Sequence, residues 1–434
     1  MKRFFSERSV IEKMAWAFGL LCLLLLALSP GRYIYDEIYY YLYPVKLIES
    51  GFNSQFVHDL HAPPGPLNAL AHSIFYPLWE VNPIGMRFAT FAMFLSAGLV
   101  LGRLTKALAP QWSRPAMACL MAIPFGGVTY LLALTEIPAM LCLVAGLTLL
   151  FSTFPSTREA STQPDATPPP GESIRWLYAI GSGVLLGLSV WGRQNYLMVG
   201  VALLIWFTMQ NAKWKTAPRF TIVLGIFAVM SGWLFWVWGG LVPPAVAHVA
   251  ETSRAQPGAL TIAGLNFNFG LRAFGYTGVI FLLLFPRYFN WSVKAIGAVA
   301  LVSLTLVLLF PELRFLPSRY VIEALLSPEL AEYAAVLMGS SFAFLGLFLI
   351  WSTLVQLWNR RNEAVFWFFT SAWACIVASN VKVGHQFSSR YVFVAVPFIL
   401  LSGFLTTKPG KWLPARLAVG MLVSVALVLK NQYF

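Results

Sequence analysis

MAWAFGLLCLLLLALSPGRYIYDEIYY, from Met14 to Tyr40, passes from an unbroken apolar run into two adjacent carboxylates, Asp36 and Glu37. The run is long enough for a helix to cross a bilayer. No small-residue cleavage site separates it from the acidic segment, so it reads as a retained anchor. The chain holds only three aspartates, and a second, Asp59, lies in HDLHAPPGPL, from His58 to Leu67. Two of the three therefore fall directly after the first span.

Working outward, apolar runs recur along the whole chain. Spans are expected near 14–30, 85–106, 115–132, 135–152, 177–193, 195–211, 219–241, 268–286, 294–311, 333–356, 363–379, 391–407 and 415–430. With 58% hydrophobic and 11% charged residues, the 434 residues are far from a soluble composition. The expected fold is an all-α polytopic membrane protein of about thirteen transmembrane helices, with residues 1–434 forming one membrane domain.

The charge bias orients the spans. The basic N-terminus shares one side with Arg103, Lys106 and Arg114, with Lys213, Lys215 and Arg219, with Arg360 and Arg361, and with Lys408, Lys411 and Arg416. That side is expected to be cytoplasmic. Residues 153–176, which include STREASTQPDATPPPGES (Ser156–Ser173), form a polar, proline-rich cytoplasmic loop expected to be flexible. All five histidines (His58, His61, His72, His248 and His385) then fall on the outer side, as do Asp36, Glu37, Asp59, Glu136, Glu251 and Glu312. Any chemistry faces outward.

Several classes are disfavoured. The net charge of +13 suggests nucleic acid, but the charges sit in short loops, where they act as orientation signals beside anionic lipid; no nucleic-acid partner is expected. The four cysteines (Cys22, Cys119, Cys142 and Cys375) fall inside spans without CxxC spacing, so no disulfide framework or zinc site is expected. No phosphate-binding GxGxxG or GxxxxGK[ST] loop occurs, and no cytoplasmic segment is large enough for a nucleotide domain.

The first outer loop, 31–83, is too long for a simple connector. Tyr40, Tyr43, Leu47 and Ile48 recur at helical spacing after Asp36, Pro44 should kink that helix, and Gly51 should stop it. Pro63-Pro64-Gly65 breaks the chain, and LNALAHSIFYPLWE (Leu67–Glu80) gives a second amphipathic stretch. Two interfacial helices are therefore expected. Asp36 and Glu37 lie at the start of the first, where carboxylates either cap the helix or serve as a general base at the mouth of a membrane cavity.

These features resemble the GT-C superfamily of membrane glycosyltransferases, and within it the dolichyl-phosphate-glucose-dependent α-1,2-glucosyltransferases. That branch carries Asp-Glu after the first span and Pro-Pro-Gly further on, here Asp36-Glu37 and Pro63-Pro64-Gly65. Thr135-Glu136 stands where the family tends to place Thr-Asp. Arg193-Gln194-Asn195 is similar to its Arg-Gln-Thr-Asn with one residue fewer, and Arg390-Tyr391 resembles an arginine-tyrosine pair before a late span. Ile38-Tyr39-Tyr40 departs from the histidine of the eukaryotic branch, and beyond about Gly240 only hydropathy and the Arg390 region match.

The resemblance implies a GT-C-like fold and transfer of a hexose from a polyprenyl (dolichyl-type) phosphate to a hydroxyl of an acceptor glycan or glycolipid. Asp36 would act as base with inversion at the anomeric carbon, and Glu37 as a second acid or a cap. Arg193 and Arg390 would hold the departing phosphate or, alternatively, snorkel to headgroups. Glu136 would hold Arg193 or join Asp36 at a divalent cation, Mg or Mn. His58, Asp59 and His61 would meet acceptor hydroxyls or pack beneath the Pro-Pro-Gly turn; Gln194, Asn195 and His385 complete the substrate-binding candidates. Arg254, Arg272, Arg314 and Arg319 are weaker cations on the same face. The expected partners are a lipid-linked sugar donor, a glycan or glycolipid acceptor and membrane lipids. The expected location is a bacterial inner membrane, with the active site facing the periplasm, or a lumen. An envelope glycan ligase or polymerase is the alternative, and a lipid-linked sugar transporter or flippase ranks behind it.

Overall fold

The computed structural model describes residues 2–34, 36–61, 64–79, 82–154, 171–210, 213–247, 261–262, 265–315, 327–382 and 387–433. Among these residues nearly all regular structure is helical, beside an antiparallel pair of two-residue strands, β1 (Thr261–Ile262) and β2 (Leu265–Asn266). Among the described residues, nine helices are long and apolar enough to cross a membrane, and three shorter apolar helices (Gln194–Met209, Val293–Leu309 and Val396–Thr406) join them. The protein is an all-α integral membrane protein. Contacts divide it into two compact units, one of Met1–His248 with Lys408–Phe434 and one of Val249–Thr407.

The first unit opens with α1 (Lys2–Ala27). Four short helices then replace the two expected in the outer loop: α2 (Glu37–Tyr40), α3 (Leu42–Ser50), α4 (Ser54–His58) and α5 (Leu67–Trp79). The break in the first amphipathic stretch falls at Tyr41 and not at Pro44. Pro44 is the third residue of α3, in the first turn, where its missing N–H costs no helical hydrogen bond. Gly51 ends α3 with φ of 73°, a conformation that favours glycine.

The unit continues with α6 (Pro83–Leu108), α7 (Pro115–Met121), α8 (Gly126–Leu131), α9 (Glu136–Thr153), α10 (Glu172–Gly192), α11 (Met198–Met209) and α12 (Lys213–Trp238). The span expected at 115–132 is not one helix. Pro124 removes a donor and clashes with the preceding turn, and Gly126-Gly127 come next, so the segment divides into α7 and α8. It still runs alongside the later part of α1: Arg114 lies 3.6 Å from Glu12, and the Ala133 N–H reaches Glu37, beyond the C-terminal end of α1. Residues 155–170, most of the expected flexible loop, lie outside the described residues.

In the second unit α13 (Phe267–Leu284) packs along α15 (Pro328–Asn359), as does α14 (Val293–Leu309). The helix α16 (Ala364–Ala378) packs on α18 (Val396–Thr406), tied by Thr370 and Ser402 hydroxyls 2.9 Å apart. The late span expected at 391–407 is interrupted: α17 (Arg390–Phe393) precedes α18. The last helix, α19 (Leu413–Tyr433), returns to the first unit, where Ser424 Oγ accepts from the Gly127 N–H at 2.9 Å.

Candidate functional site

The two adjacent carboxylates take different environments. Glu37 is 1% exposed. Its Oε1 accepts from Arg87 Nε at 2.9 Å and from the Ala133 N–H at 2.8 Å. Its Oε2 accepts from Arg87 Nη2 at 2.6 Å and from the Ile34 N–H at 2.8 Å. A carboxylate has about four lone-pair positions, and all are taken. Glu37, a catalytic candidate from sequence, is an anchor and leaves no lone pair for a substrate.

Arg87 is its counterpart. It is fully buried, and beyond Glu37 its Nη1 donates to Pro30 O at 2.8 Å and Ser29 Oγ at 3.2 Å, while Nη2 donates to Arg32 O at 2.7 Å. All five guanidinium protons therefore have acceptors. One buried side chain thus fixes the exit of α1, residues 29–32, to the start of α2, while Glu37 ties both to the approach to α9. Sequence reasoning passed over Arg87, although an arginine inside an apolar helix is itself a signal of a built site.

Asp36 sits beside this clamp and is half-buried. Its side chain makes no capping hydrogen bond to α2, so the helix-cap role considered from sequence is not the one the structure gives it. Tyr33 and Tyr41 stack nearby with centroids 4.1 Å apart. Burial, with Tyr41 and Glu37 nearby, raises the Tyr33 phenol to about 12, so Tyr33 stays protonated.

A second clamp lies at the start of α9. Glu136, 1% exposed, pairs with Arg193, 8% exposed, at the end of α10. This is the holding role considered from sequence. Arg193 Nε remains buried without a hydrogen-bond partner among the described residues, as do Thr135 Oγ1 and the Tyr196 hydroxyl. Gln194 and Asn195 are half-buried in the adjoining 3-10 turn Gln194–Leu197.

Gly65 of the Pro-Pro-Gly motif lies close beside this second clamp. A Cβ on Gly65 would collide with the Trp191 carbonyl oxygen, two residues before Arg193. One on Gly192 would stand 2.5 Å from the Ala139 Cβ and 2.9 Å from Leu67 Cδ2. The start of α5, the first turn of α9 and the end of α10 therefore meet at backbone distance, which only glycine permits. Asn68, in the first turn of α5, is 2% exposed, and both its polar atoms lack partners among the described residues. Pro63 lies outside the described residues.

The remaining candidates scatter. His58 Nδ1 is 2.8 Å from Asp59 Oδ1, and Gln55 donates to Asp59 Oδ2 at 2.6 Å. These hydrogen bonds lower the Asp59 pKa, and the group is exposed. The backbone N–H of His61 donates to the Tyr43 hydroxyl at 3.0 Å. His72 is fully buried, with Nε2 3.3 Å from Thr90 Oγ1, and desolvation lowers it to about 4. Arg390 opens α17 in the second unit, with its guanidinium 5.8 Å from the Tyr391 ring centroid. His248, His385, Glu251, Arg254 and Arg319 lie outside the described residues.

Among the described residues no three His, Cys, Asp or Glu side chains come together as metal ligands. Glu136, one of the two residues considered for a divalent ion, pairs with Arg193.

No protein-family model matches the chain, and no curated protein does. Two solved structures are similar to it. The crystal structure of ArnT from Cupriavidus metallidurans bound to undecaprenyl phosphate aligns at 13% identity over 91% of this chain and 77% of that one, with a TM-score of 0.43. The same protein in the apo state aligns at 12% identity over the same shares, with a TM-score of 0.40.

Proposed function

We propose that the protein is a GT-C-type glycosyltransferase that moves a hexose from a polyprenyl phosphate to a hydroxyl of a glycan or glycolipid acceptor. The carrying observation is the division of labour at Asp36-Glu37. Glu37 is consumed by Arg87 and two backbone N–H groups. Its neighbour Asp36 is left half-buried and uncommitted to capping, on a rigidly held segment. A base needs this: a fixed position and access to the reacting hydroxyl.

In this reading Asp36 takes the proton of the acceptor hydroxyl as its oxygen attacks the anomeric carbon. The bond from that carbon to the phosphate oxygen breaks, and the polyprenyl phosphate leaves with the electron pair. One displacement inverts the centre. Arg193, already neutralised by Glu136, is better suited to positioning the turn Gln194–Leu197. The outer loop of α2–α5 is proposed to face the periplasm or a lumen, in keeping with the basic loops on the opposite side.

The test is sugar transfer from radiolabelled polyprenyl-phosphate hexoses in membranes carrying wild type or Asp36→Asn. Label appearing in a glycan with wild type and lost in the variant supports the proposal. A well-folded wild type that turns over no such donor sinks it and moves the assignment to the ligase or transporter class.

A further inference from the structure

The second unit holds a cationic group that the proposed chemistry of Asp36 does not use. Arg272 lies on α13, one turn after Asn268. Its Nη2 donates to Glu312 O at 2.7 Å and, more weakly, to Arg314 O at 3.4 Å. Asn268 Nδ2 donates to the same Glu312 oxygen at 2.8 Å. These bonds strap the turn Pro311–Leu313 across one face of α13 and fix both side chains.

Both side chains keep one need unmet. Arg272 is half-buried, and no carboxylate lies within ion-pair distance of it among the described residues, unlike Arg87, Arg193 and Arg314, which pair with Glu37, Glu136 and Glu332. Its Nε is buried and makes no hydrogen bond there. Asn268 is 6% exposed, and its Oδ1 is likewise buried without a partner among those residues. Phe269 and Phe315 flank the guanidinium with centroids at 5.9 and 5.0 Å. An uncompensated charge in an apolar helix is costly, and so is a buried polar atom with nothing to bond. Rings beside a guanidinium attract it but do not neutralise it.

We infer that Asn268 and Arg272 form a binding site for a sugar phosphate. The guanidinium takes an anionic phosphate oxygen, and the unpaired amide oxygen of Asn268 takes a sugar hydroxyl. The two unmet needs, one for an acceptor bearing negative charge and one for a donor, stand a single helical turn apart on one face. A hydrogen phosphate dianion meets the first and has a single P–OH on the same small anion to offer the second, whereas a sugar carries several hydroxyls away from its phosphate. A glycosyl phosphate, soluble or lipid-borne, meets both, and Phe269 and Phe315 offer apolar surface to a sugar face. The assignment of the ligand as donor head group rests on the glycosyltransferase proposal; the site itself does not.

The test is direct binding to the purified full chain in detergent, with inorganic phosphate, a hexose 1-phosphate and micellar polyprenyl phosphate as probes. Wild type binds hexose 1-phosphate more tightly than inorganic phosphate. Arg272→Gln weakens all three by about tenfold or more, as expected for loss of charge-assisted hydrogen bonds. Arg272→Lys, which keeps the charge, weakens them less and serves if Arg272→Gln does not fold. Asn268→Leu removes the preference for the hexose ester and leaves inorganic phosphate unchanged. Equal affinity in wild type and Arg272→Gln overturns the site, as does binding of the polyprenyl probe with neither soluble one, which places the affinity in the lipid tail. Equal losses for both soluble probes in Asn268→Leu reduce Asn268 to a strap for Glu312 and overturn the hydroxyl contact. Intact sugar-phosphate binding in a protein that transfers no sugar sinks the transferase proposal alone.

Discussion

The buried pair Arg87–Glu37 gives the sharpest quantitative expectation. Arg87→Met leaves a carboxylate at 1% exposure with only the Ile34 and Ala133 N–H groups, and leaves the Pro30 and Arg32 carbonyls without their donor. Stranding one half of a buried pair costs about 3–5 kcal/mol. Glu37→Leu strands the guanidinium at similar cost. In a unit of this size either loss lowers the melting temperature by on the order of 10 °C. The double variant Arg87→Met with Glu37→Leu removes both charges, so its cost falls short of the sum of the single changes by about 2 kcal/mol or more. The assay is thermal unfolding of the four proteins in one detergent, read by tryptophan fluorescence. Additive effects, or an Arg87→Met protein melting within about 2 °C of wild type, would refute the clamp.

Asp36→Asn is expected to abolish transfer while costing less stability than Arg87→Met, because Asp36 is half-buried where Arg87 is fully buried; a melting loss matching that of Arg87→Met would show that Asp36 is structural. Gly65→Ala forces a methyl group onto the Trp191 carbonyl and should cost about 1–3 kcal/mol, with transfer impaired through displaced Arg193; unchanged melting and transfer would remove the motif's proposed role. His72 has its pKa depressed from 6.5 to about 4, so the unfolded chain binds the proton first as pH falls. Its stabilising contribution is complete above about pH 6.5 and drains towards pH 4, by about 3 kcal/mol in all. His72→Phe should flatten the pH dependence of melting across that window, and an unaltered slope would show that another group controls it.

Local chemistry made much of the architecture legible. Apolar runs located the helices, Gly51 marked a stop, and Thr135-Glu136 and Arg193 drew notice through their resemblance to family motifs. Proline was harder, because its effect depends on where a helix begins. Pro44 falls in a first turn and is tolerated, whereas Pro124 interrupts what hydropathy alone joins into one span. Arg87 was passed over for another reason. Near the start of an apolar helix it looks like any arginine reaching for headgroups, and only the folded chain brings Ser29, Pro30, Arg32 and Glu37 around it. The same limit hid the ranking of the other arginines. Spacing shows where a guanidinium stands along a span, but not which carboxylate has already claimed it.

Compensation therefore discriminates among the charges better than position does. In an apolar protein each buried ion must be answered from within the fold or by a ligand. Glu37 and Arg87 answer each other with every lone pair and proton engaged, and such a pair can only hold structure. Glu136 and Arg193 cancel in charge, yet among the described residues Arg193 Nε, Thr135 Oγ1 and Tyr196 Oη stay unmet, in keeping with the positioning role proposed for Arg193. Arg272 has carbonyls and rings but no counter-charge among the described residues. Arg87 and Arg193 each have a carboxylate partner among the described residues and Arg272 has none there, so Arg272 is the cation of the three proposed to take a bound anion. Substitution should track that difference: Arg87 variants lose fold, Arg193 variants lose fold and transfer together, and Arg272 variants lose ligand affinity while the fold persists.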